Sequence, residues 1–102
     1  MRIIKPSTVR EWMQRHPSAA PGLAWWADTI KTGSWKNLVE LKRTFPAADQ
    51  VKVASGRTVL VFNISGNAFR LMAAMHFNRG LVFAVAFMSH AEYSKDRWKD
   101  KL

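Results

Sequence analysis

The hydrophobic period of this chain changes once, near residue 49, and this change constrains the fold more than any other feature. Before it, apolar residues recur three and four positions apart, which is the spacing of amphipathic helices. After it, short apolar runs are separated by Ser, Gly and Asn, as in strands joined by turns. The sequence therefore predicts an α+β fold with helices first, then an antiparallel meander, then a short charged helix.

The first part of the chain predicts a hairpin of two helices behind a short strand. The strand would cover residues 1–4. Thr8 and Glu11 have the spacing of a capping box, and Pro17 would end the first helix. The second helix would extend over residues 21–33, from a Pro-Gly start to a glycine stop, with its apolar face toward the core.

The segment 35–46 leaves two structures open. Leu38, Leu41 and Phe45 have the spacing of a short helix. The segment is also basic and ends in a proline, which fits an irregular loop equally well.

Four strands are predicted in the second part of the chain. Ser55-Gly56 has the composition of a two-residue hairpin turn, and a Ser-Gly-Asn turn and an Asn-Arg-Gly turn follow it. The predicted strands cover residues 51–54, 57–64, 68–77 and 81–88.

The last two strands can be paired residue by residue. A three-residue turn places Phe77 opposite Leu81, so that the numbers of paired residues sum to 158. One face of this hairpin is then wholly apolar and should pack on the helices; it contains Leu71, Ala73, Met75, Phe77, Leu81, Phe83, Val85 and Phe87. The other face, lined by alanines, should be a shallow trough with Arg70 at one end and His76, interpreted as structural, at the other.

The charge of the chain indicates a polyanionic partner. Sixteen Lys and Arg residues stand against seven Asp and Glu residues, a net charge of +9. Residues 51–90 contain no Asp or Glu at all. A positive trough without carboxylates suits a phosphodiester and does not suit glycoside hydrolysis, which uses paired carboxylates.

Several classes of site are disfavoured by composition. The absence of cysteine excludes disulfides, thiolate metal sites and a cysteine nucleophile. Three scattered histidines give no metal-ligand spacing, so neither a metal nor another cofactor is expected. The N-terminus does not resemble a secretory signal, and the longest apolar run is too short to span a membrane. We therefore expect a cytoplasmic protein that does not associate with membranes.

The predicted hairpin brings a group of reactive side chains to one end of the trough. Arg70 lies opposite Met88, so the segment after that strand leaves the sheet at the Arg70 end. His90, Tyr93 and Lys95 can therefore gather near Arg70, whose guanidinium is expected to be free to meet a substrate.

This group predicts RNA cleavage without a metal. The 2′-hydroxyl must lose a proton, the pentavalent phosphate must be stabilised, and the leaving 5′-oxygen must gain a proton. Arg70 can grip the phosphate in a bidentate manner, and His90 can serve as base or acid. Tyr93 can stack on a base or transfer a proton, and Lys95 adds positive charge and is a second candidate base.

The same residues resemble the HigB branch of the RelE-like toxins. The resemblance covers nearly the whole chain, including VFNISGNAFRLMAAMHF and the ending SHAEYSKD, and its most specific parts are Gly66-Asn67-x-x-Arg70-Leu71 and His90-Ala91-Glu92-Tyr93. It implies a single RelE/ParE-like domain over residues 1–102, in which a helical hairpin packs on a small antiparallel sheet. It also implies that Arg70 grips the phosphate and that Tyr93 belongs to the active-site segment. Ser89 stands where the family usually has threonine, which keeps the hydroxyl.

The resemblance implies the toxin component of a type II toxin–antitoxin system, an endoribonuclease that cleaves mRNA on the translating ribosome. The cognate antitoxin would carry a helix-turn-helix DNA-binding domain. Further contacts with RNA are predicted for Lys36, Lys42, Arg43, Arg57, Asn67 and Arg79. Two alternatives remain, a ParE-like topoisomerase poison and a basic nucleic-acid-binding module that is not an enzyme.

Overall fold

The structure, a computed structural model that describes all residues from 1 to 102, contains five strands, five α-helices and two short 3-10 helices, Pro17–Ala19 and Phe77–Arg79. The strands are β1 (Arg2–Ile4), β2 (Asp49–Lys52), β3 (Thr58–Ile64), β4 (Phe69–His76) and β5 (Leu81–Ser89). The helices are α1 (Pro6–Arg15), α2 (Ala20–Thr32), α3 (Leu38–Thr44), α4 (His90–Ser94) and α5 (Trp98–Lys101). The predicted α+β class is confirmed. None of these helices has the length and hydropathy needed to cross a bilayer.

All five strands form one sheet, in the order β1-β5-β4-β3-β2. Strands β2 to β5 pair with their neighbours in antiparallel fashion, which confirms the predicted meander. The short strand β1 pairs with β5 in parallel, so the sheet is mixed at this edge. Helices α1, α2 and α3 and strands β2 to β4 all lie in the long connection that such a parallel pair requires.

Helix α1 begins earlier than its predicted capping box. Pro6 occupies the first turn, where its fixed φ suits a helix, and the preceding Lys5 has a left-handed φ of 53°. No side chain caps this terminus, so the predicted Thr8–Glu11 capping box is wrong. The helix ends at Arg15, before Pro17.

The next two helices behave as amphipathic elements. Helix α2 buries Leu23, Trp26 and Ile30 on one face and ends before Gly33, as predicted. Of the two structures left open for residues 35–46, the helix is the one observed. Its N-terminus is capped by the side chain of Asn37, which accepts a 3.0 Å hydrogen bond from the Glu40 backbone N–H.

The β2–β3 hairpin is present, but its loop is one residue longer than predicted. The Val53 N–H donates to the Arg57 carbonyl, which leaves Ala54, Ser55 and Gly56 in the loop. Gly56 has a φ of +86°, the left-handed conformation that closes three-residue hairpin loops.

The β4–β5 register is as predicted in one half and shifted in the other. Arg70 faces Met88, and Met72 faces Ala86, in agreement with the sum of 158. The connection between β4 and β5 has four residues instead of the three predicted, so His76 rather than Phe77 pairs with Leu81. A bulge at Val85 absorbs the difference.

The bulge changes which β5 side chains face the helices. Phe87 packs in the helix-facing core as predicted, but Val82 and Ala84 take the places expected for Phe83 and Val85. Phe83 is therefore on the opposite face, where it is 38% exposed. The predicted helix-facing set was wrong for this half of β5.

The sheet carries apolar clusters on both faces. The helix-facing core contains most of the buried side chains of α1, α2, α3 and β3. On the other face, called the outer face below, Val59, Val61 and Met72 pack against Trp98 of α5. The C-terminal segment is tied across this face, since the Ala54 N–H donates to the Lys99 carbonyl. The expected open trough is thus filled over its middle, and a groove remains only toward His76.

Candidate active site

One end of the outer face gathers part of the predicted catalytic group, and we call it the Arg70 end. Strand β4 begins there with Phe69 opposite Ser89, the last residue of β5. The Ser89 side chain caps α4 by accepting from the Glu92 N–H at 3.2 Å. Because the His90 N–H donates to the Ala68 carbonyl at 2.9 Å, α4 folds back beside the β3–β4 turn and places Tyr93 near Arg70.

Arg70 is held firmly in this position. Its Nη1 donates to the carbonyls of Asn67 and Phe69 at 3.2 and 3.1 Å, and its Nη2 donates to the Asn67 Oδ1. The guanidinium carbon lies 5.3 Å from the centre of the Tyr93 ring, a cation–π contact. The residue is only 7% exposed, so the expectation of a free guanidinium was wrong. The turn and the C-terminal segment cover it.

Two of the five guanidinium N–H groups of Arg70 nevertheless have no partner in the protein. The Nε and one proton of Nη2 make none of the hydrogen bonds described above. These are the donors of Arg70 that remain for an anion. The arrangement fixes the plane of the guanidinium before a ligand arrives, which favours bidentate binding.

Tyr93 is supported by the C-terminal helix. Its ring stacks on Trp98 with centroids 5.3 Å apart and an interplanar angle of 17°. The Trp98 Nε1 also donates to the Tyr93 carbonyl at 3.1 Å. The Tyr93 hydroxyl makes no hydrogen bond within the protein, so the polar end of this side chain is available to a substrate.

His90 and Lys95 lie in the same segment but have other partners. The His90 Nδ1 is 3.4 Å from the Ser94 Oγ, one helical turn away. Lys95 is exposed and its Nζ is 3.5 Å from a Glu92 carboxylate oxygen. Solvated ion pairs of this kind contribute little energy, so Lys95 can exchange Glu92 for another anion at small cost.

The residues predicted to contact RNA are spread over the surface rather than gathered. Asn67 is at the Arg70 end, bound to the guanidinium. Arg57 and Arg79 are exposed at the opposite end of the sheet, near His76. Six steps along β4 separate His76 from Arg70, a distance of about 20 Å. Lys36, Lys42 and Arg43 are exposed on and beside α3, a third location.

Two features of the outer face escaped the sequence interpretation. Trp98 was not included in the site, although an aromatic residue five positions after Tyr93 was a usable signal. His76, interpreted as structural, is exposed and meets the Phe83 ring edge-on with centroids 5.6 Å apart. No group of three His, Asp or Glu side chains is placed to hold a metal ion.

Comparison with known proteins assigns the chain to a family. A family model described as HigB_toxin, the RelE-like toxic component of a toxin-antitoxin system, matches residues 19–96. The chain belongs to the HigB toxin family. The match includes every residue at the Arg70 end except Trp98, so this HigB protein carries its candidate site within the region common to the family.

Similar HigB proteins have names that describe an activity. The "mRNA interferase toxin HigB" of Escherichia coli K12 is 28% identical over 93 residues, which cover 91% of this chain and 88% of that protein. The "mRNA interferase HigB" proteins of Escherichia coli O157:H7 and Shigella flexneri are similar to the same extent.

Proposed function

We propose that this HigB family member is an endoribonuclease that cleaves mRNA at the Arg70 end of its outer face. The observation that carries the proposal is the guanidinium of Arg70, which is fixed by Asn67 and Tyr93 yet retains two unpaired N–H donors. The absence of acidic residues between positions 51 and 90 supports phosphate binding there. The similarity to mRNA interferases supports cleavage over topoisomerase poisoning or passive binding.

The proposed chemistry is an internal transesterification. The 2′-oxygen forms a bond to the adjacent phosphorus while the bond from phosphorus to the 5′-oxygen breaks. The products are a 2′,3′-cyclic phosphate and a 5′-hydroxyl. Arg70 stabilises the charge on the pentavalent phosphate, as preorganised donors do in other transition states. His90 and the hydroxyl of Tyr93 move the two protons, one from the 2′-hydroxyl and one to the leaving oxygen.

The proposed substrate is mRNA held on the translating ribosome in the cytoplasm. A net charge of +9 favours a large polyanionic surface, and the ribosome offers one. Basic side chains far from the Arg70 end, such as Lys42 and Arg57, then serve to hold the enzyme on the ribosome. This explains why the predicted RNA-contacting residues do not converge on one site.

The proposed protein partner is an acidic antitoxin with a helix-turn-helix DNA-binding domain. Membership of a toxin–antitoxin family and the basic surface of the chain both support it. Expression of the chain alone should therefore arrest bacterial growth, and coexpression of the antitoxin should relieve the arrest. Normal growth at a high level of the soluble, uninhibited protein would contradict the assignment of toxicity to this chain.

The catalytic proposal is tested by substitution of Arg70. Loss of this contact should cost roughly 2.7–4 kcal/mol of transition-state stabilisation, or about 10²–10³ in cleavage rate. Arg70→Lys should restore only part of the rate, since an ammonium cannot reproduce the bidentate grip. His90→Ala should also reduce the rate. The measurement is cleavage of mRNA in a purified translation system, with mapping of the new 5′ ends.

The matched control is Arg15→Ala, which removes the same charge from the exposed end of α1. It should cleave at the wild-type rate. Because Arg70 is buried, the melting temperature of each variant must be measured and the rate referred to folded protein. A folded Arg70→Ala protein that cleaves as fast as Arg15→Ala would refute the proposed site.

A further inference from the structure

The outer face retains an open groove at the end opposite Arg70. The groove has a volume of about 470 Å³ and is lined by Arg57, Thr58, Ala74, Met75, His76 and Phe83; we call it the His76 groove. Phe83 borders it because the bulge at Val85 turns this residue away from the helices. A phenylalanine 38% exposed beside an exposed histidine is not explained by the packing of the core.

The surroundings of the His76 groove are cationic. Arg57 is exposed on its wall, and no lining residue is acidic. Arg2 lies on the same face, because the next residue, Ile3, is buried on the helix side and side chains alternate along a strand. Arg2 also pairs with Leu81, which in turn pairs with His76. Arg79 is exposed in the connection that follows β4. One guanidinium thus lines a groove with an aromatic ring, and two more arginines lie on the neighbouring strand β1 and in the connection after β4.

An aromatic ring beside arginines is the combination that binds single-stranded nucleic acid. A base stacks on the ring, and the arginines neutralise the phosphates on either side. The small side chain of Ala74 leaves room for the base over the sheet. An acidic protein segment would also be attracted by the charge, but it would gain no comparable stacking on Phe83.

We propose that the His76 groove is a second nucleotide-binding subsite, in which an unpaired base stacks on Phe83 beside His76 while Arg57 binds its phosphate. The inference rests on the proposed ribonuclease function. The two sites lie on one face about 20 Å apart along β4, so one strand of RNA several nucleotides long can occupy both. The subsite would hold the strand in register while its scissile phosphate sits at Arg70.

The test uses fluorescein-labelled, 2′-O-methylated RNA strands, which bind but cannot be cleaved because the nucleophile is blocked. A twelve-nucleotide strand can reach both sites, and a two-nucleotide strand can reach only one. Phe83→Leu keeps the apolar side chain without the ring and should weaken binding of the long strand roughly tenfold, within the range for one stacked base. Phe83→Trp should bind as tightly as wild type.

A second arm identifies the source of the strand. Binding of the same variants to ribosomes is measured with and without mRNA. If ribosome binding depends on Phe83 only when mRNA is present, the stacked base belongs to the mRNA. If ribosome binding depends on Phe83 equally with and without mRNA, the base belongs to ribosomal RNA. Both outcomes support the subsite.

Two outcomes would overturn the inference. The first is equal binding of the long strand by Phe83→Leu and wild type. The second is loss of antitoxin binding by Phe83→Leu with RNA binding intact, which would make the groove a protein-docking surface. The proposed catalysis is tested separately, by RNA cleavage. If RNA binding depends on Phe83 but the protein cleaves no RNA, the subsite is supported and the proposed ribonuclease activity is rejected.

Discussion

Arg70 differs from an ordinary arginine on a sheet surface because its environment restrains it on several sides. Three hydrogen bonds to the β3–β4 turn and a contact with Tyr93 leave it almost no freedom to reorient. Ordering an arginine side chain costs up to about 2 kcal/mol, and here folding has met that cost before any ligand binds. A phosphate that meets this guanidinium therefore binds a preorganised group.

The structural and the proposed catalytic role of Tyr93 belong to different parts of its side chain. Its ring is engaged by Trp98 and Arg70, whereas its hydroxyl has no partner in the protein. Tyr93→Phe should therefore leave the free energy of unfolding within about 0.5 kcal/mol of wild type while lowering the cleavage rate. Urea unfolding and single-turnover cleavage are the two measurements. Wild-type cleavage by Tyr93→Phe would remove the hydroxyl from the mechanism and leave the ring with a supporting role only.

At the level of elements, the sequence predicted the order of helices and strands because periodicity is local. It also predicted that Arg70 lies opposite Met88. It could not place the Val85 bulge, because residues 81–88 are apolar at every position and lack the alternation that would fix which side chains face inward. The burial of Arg70 was equally inaccessible, since it depends on a C-terminal segment that is held by Trp98, far along the chain.

The C-terminal helix α5 should act as a support for the site. Trp98 is 4% exposed and packs on both the sheet and Tyr93. Trp98→Ala should cost roughly 3–5 kcal/mol if the whole domain unfolds with the segment. If only the segment detaches, hydrogen exchange should rise at Ala54, whose N–H is bound to the Lys99 carbonyl.

Trp98→Phe is the matched control for this prediction. It keeps a ring against Tyr93, and it loses the hydrogen bond from Nε1 and part of the buried indole volume. Cleavage should follow the order wild type, Trp98→Phe, Trp98→Ala. Full activity of the alanine variant, with the segment shown to be detached, would mean that Tyr93 needs no support from α5.

For the whole molecule, the distribution of charge separates the residues proposed to bind RNA from the residue proposed to act in its cleavage. The single buried arginine is at the candidate site, and the remaining cations lie on exposed surfaces at several places. In the proposed mechanism, long-range attraction therefore comes from the entire surface, and local stabilisation of the scissile phosphate comes from Arg70. Salt should act mainly on the first of these, because it screens exposed charges more than buried ones.

Binding to RNA should therefore weaken steeply with salt. Contact with about 4–6 phosphates implies a slope of roughly −3 to −5 in a plot of log K against log salt concentration. Arg57→Gln should make the slope shallower by about 1 if it binds a phosphate, whereas Arg15→Gln should not change it. Fluorescence titrations over a range of KCl concentrations provide the measurement. A slope near zero for the wild-type protein would exclude a binding mode dominated by phosphates.

The position of Tyr93 and Trp98 in the chain has a consequence for the timing of activity. Arg70 leaves the ribosomal exit tunnel earlier than either aromatic residue, because the chain is synthesised from its N-terminus. Helices α1 to α3 and all five strands are synthesised before the ring that contacts the guanidinium. In the proposed nuclease, Arg70 therefore meets its aromatic partner only after Tyr93 has also left the tunnel.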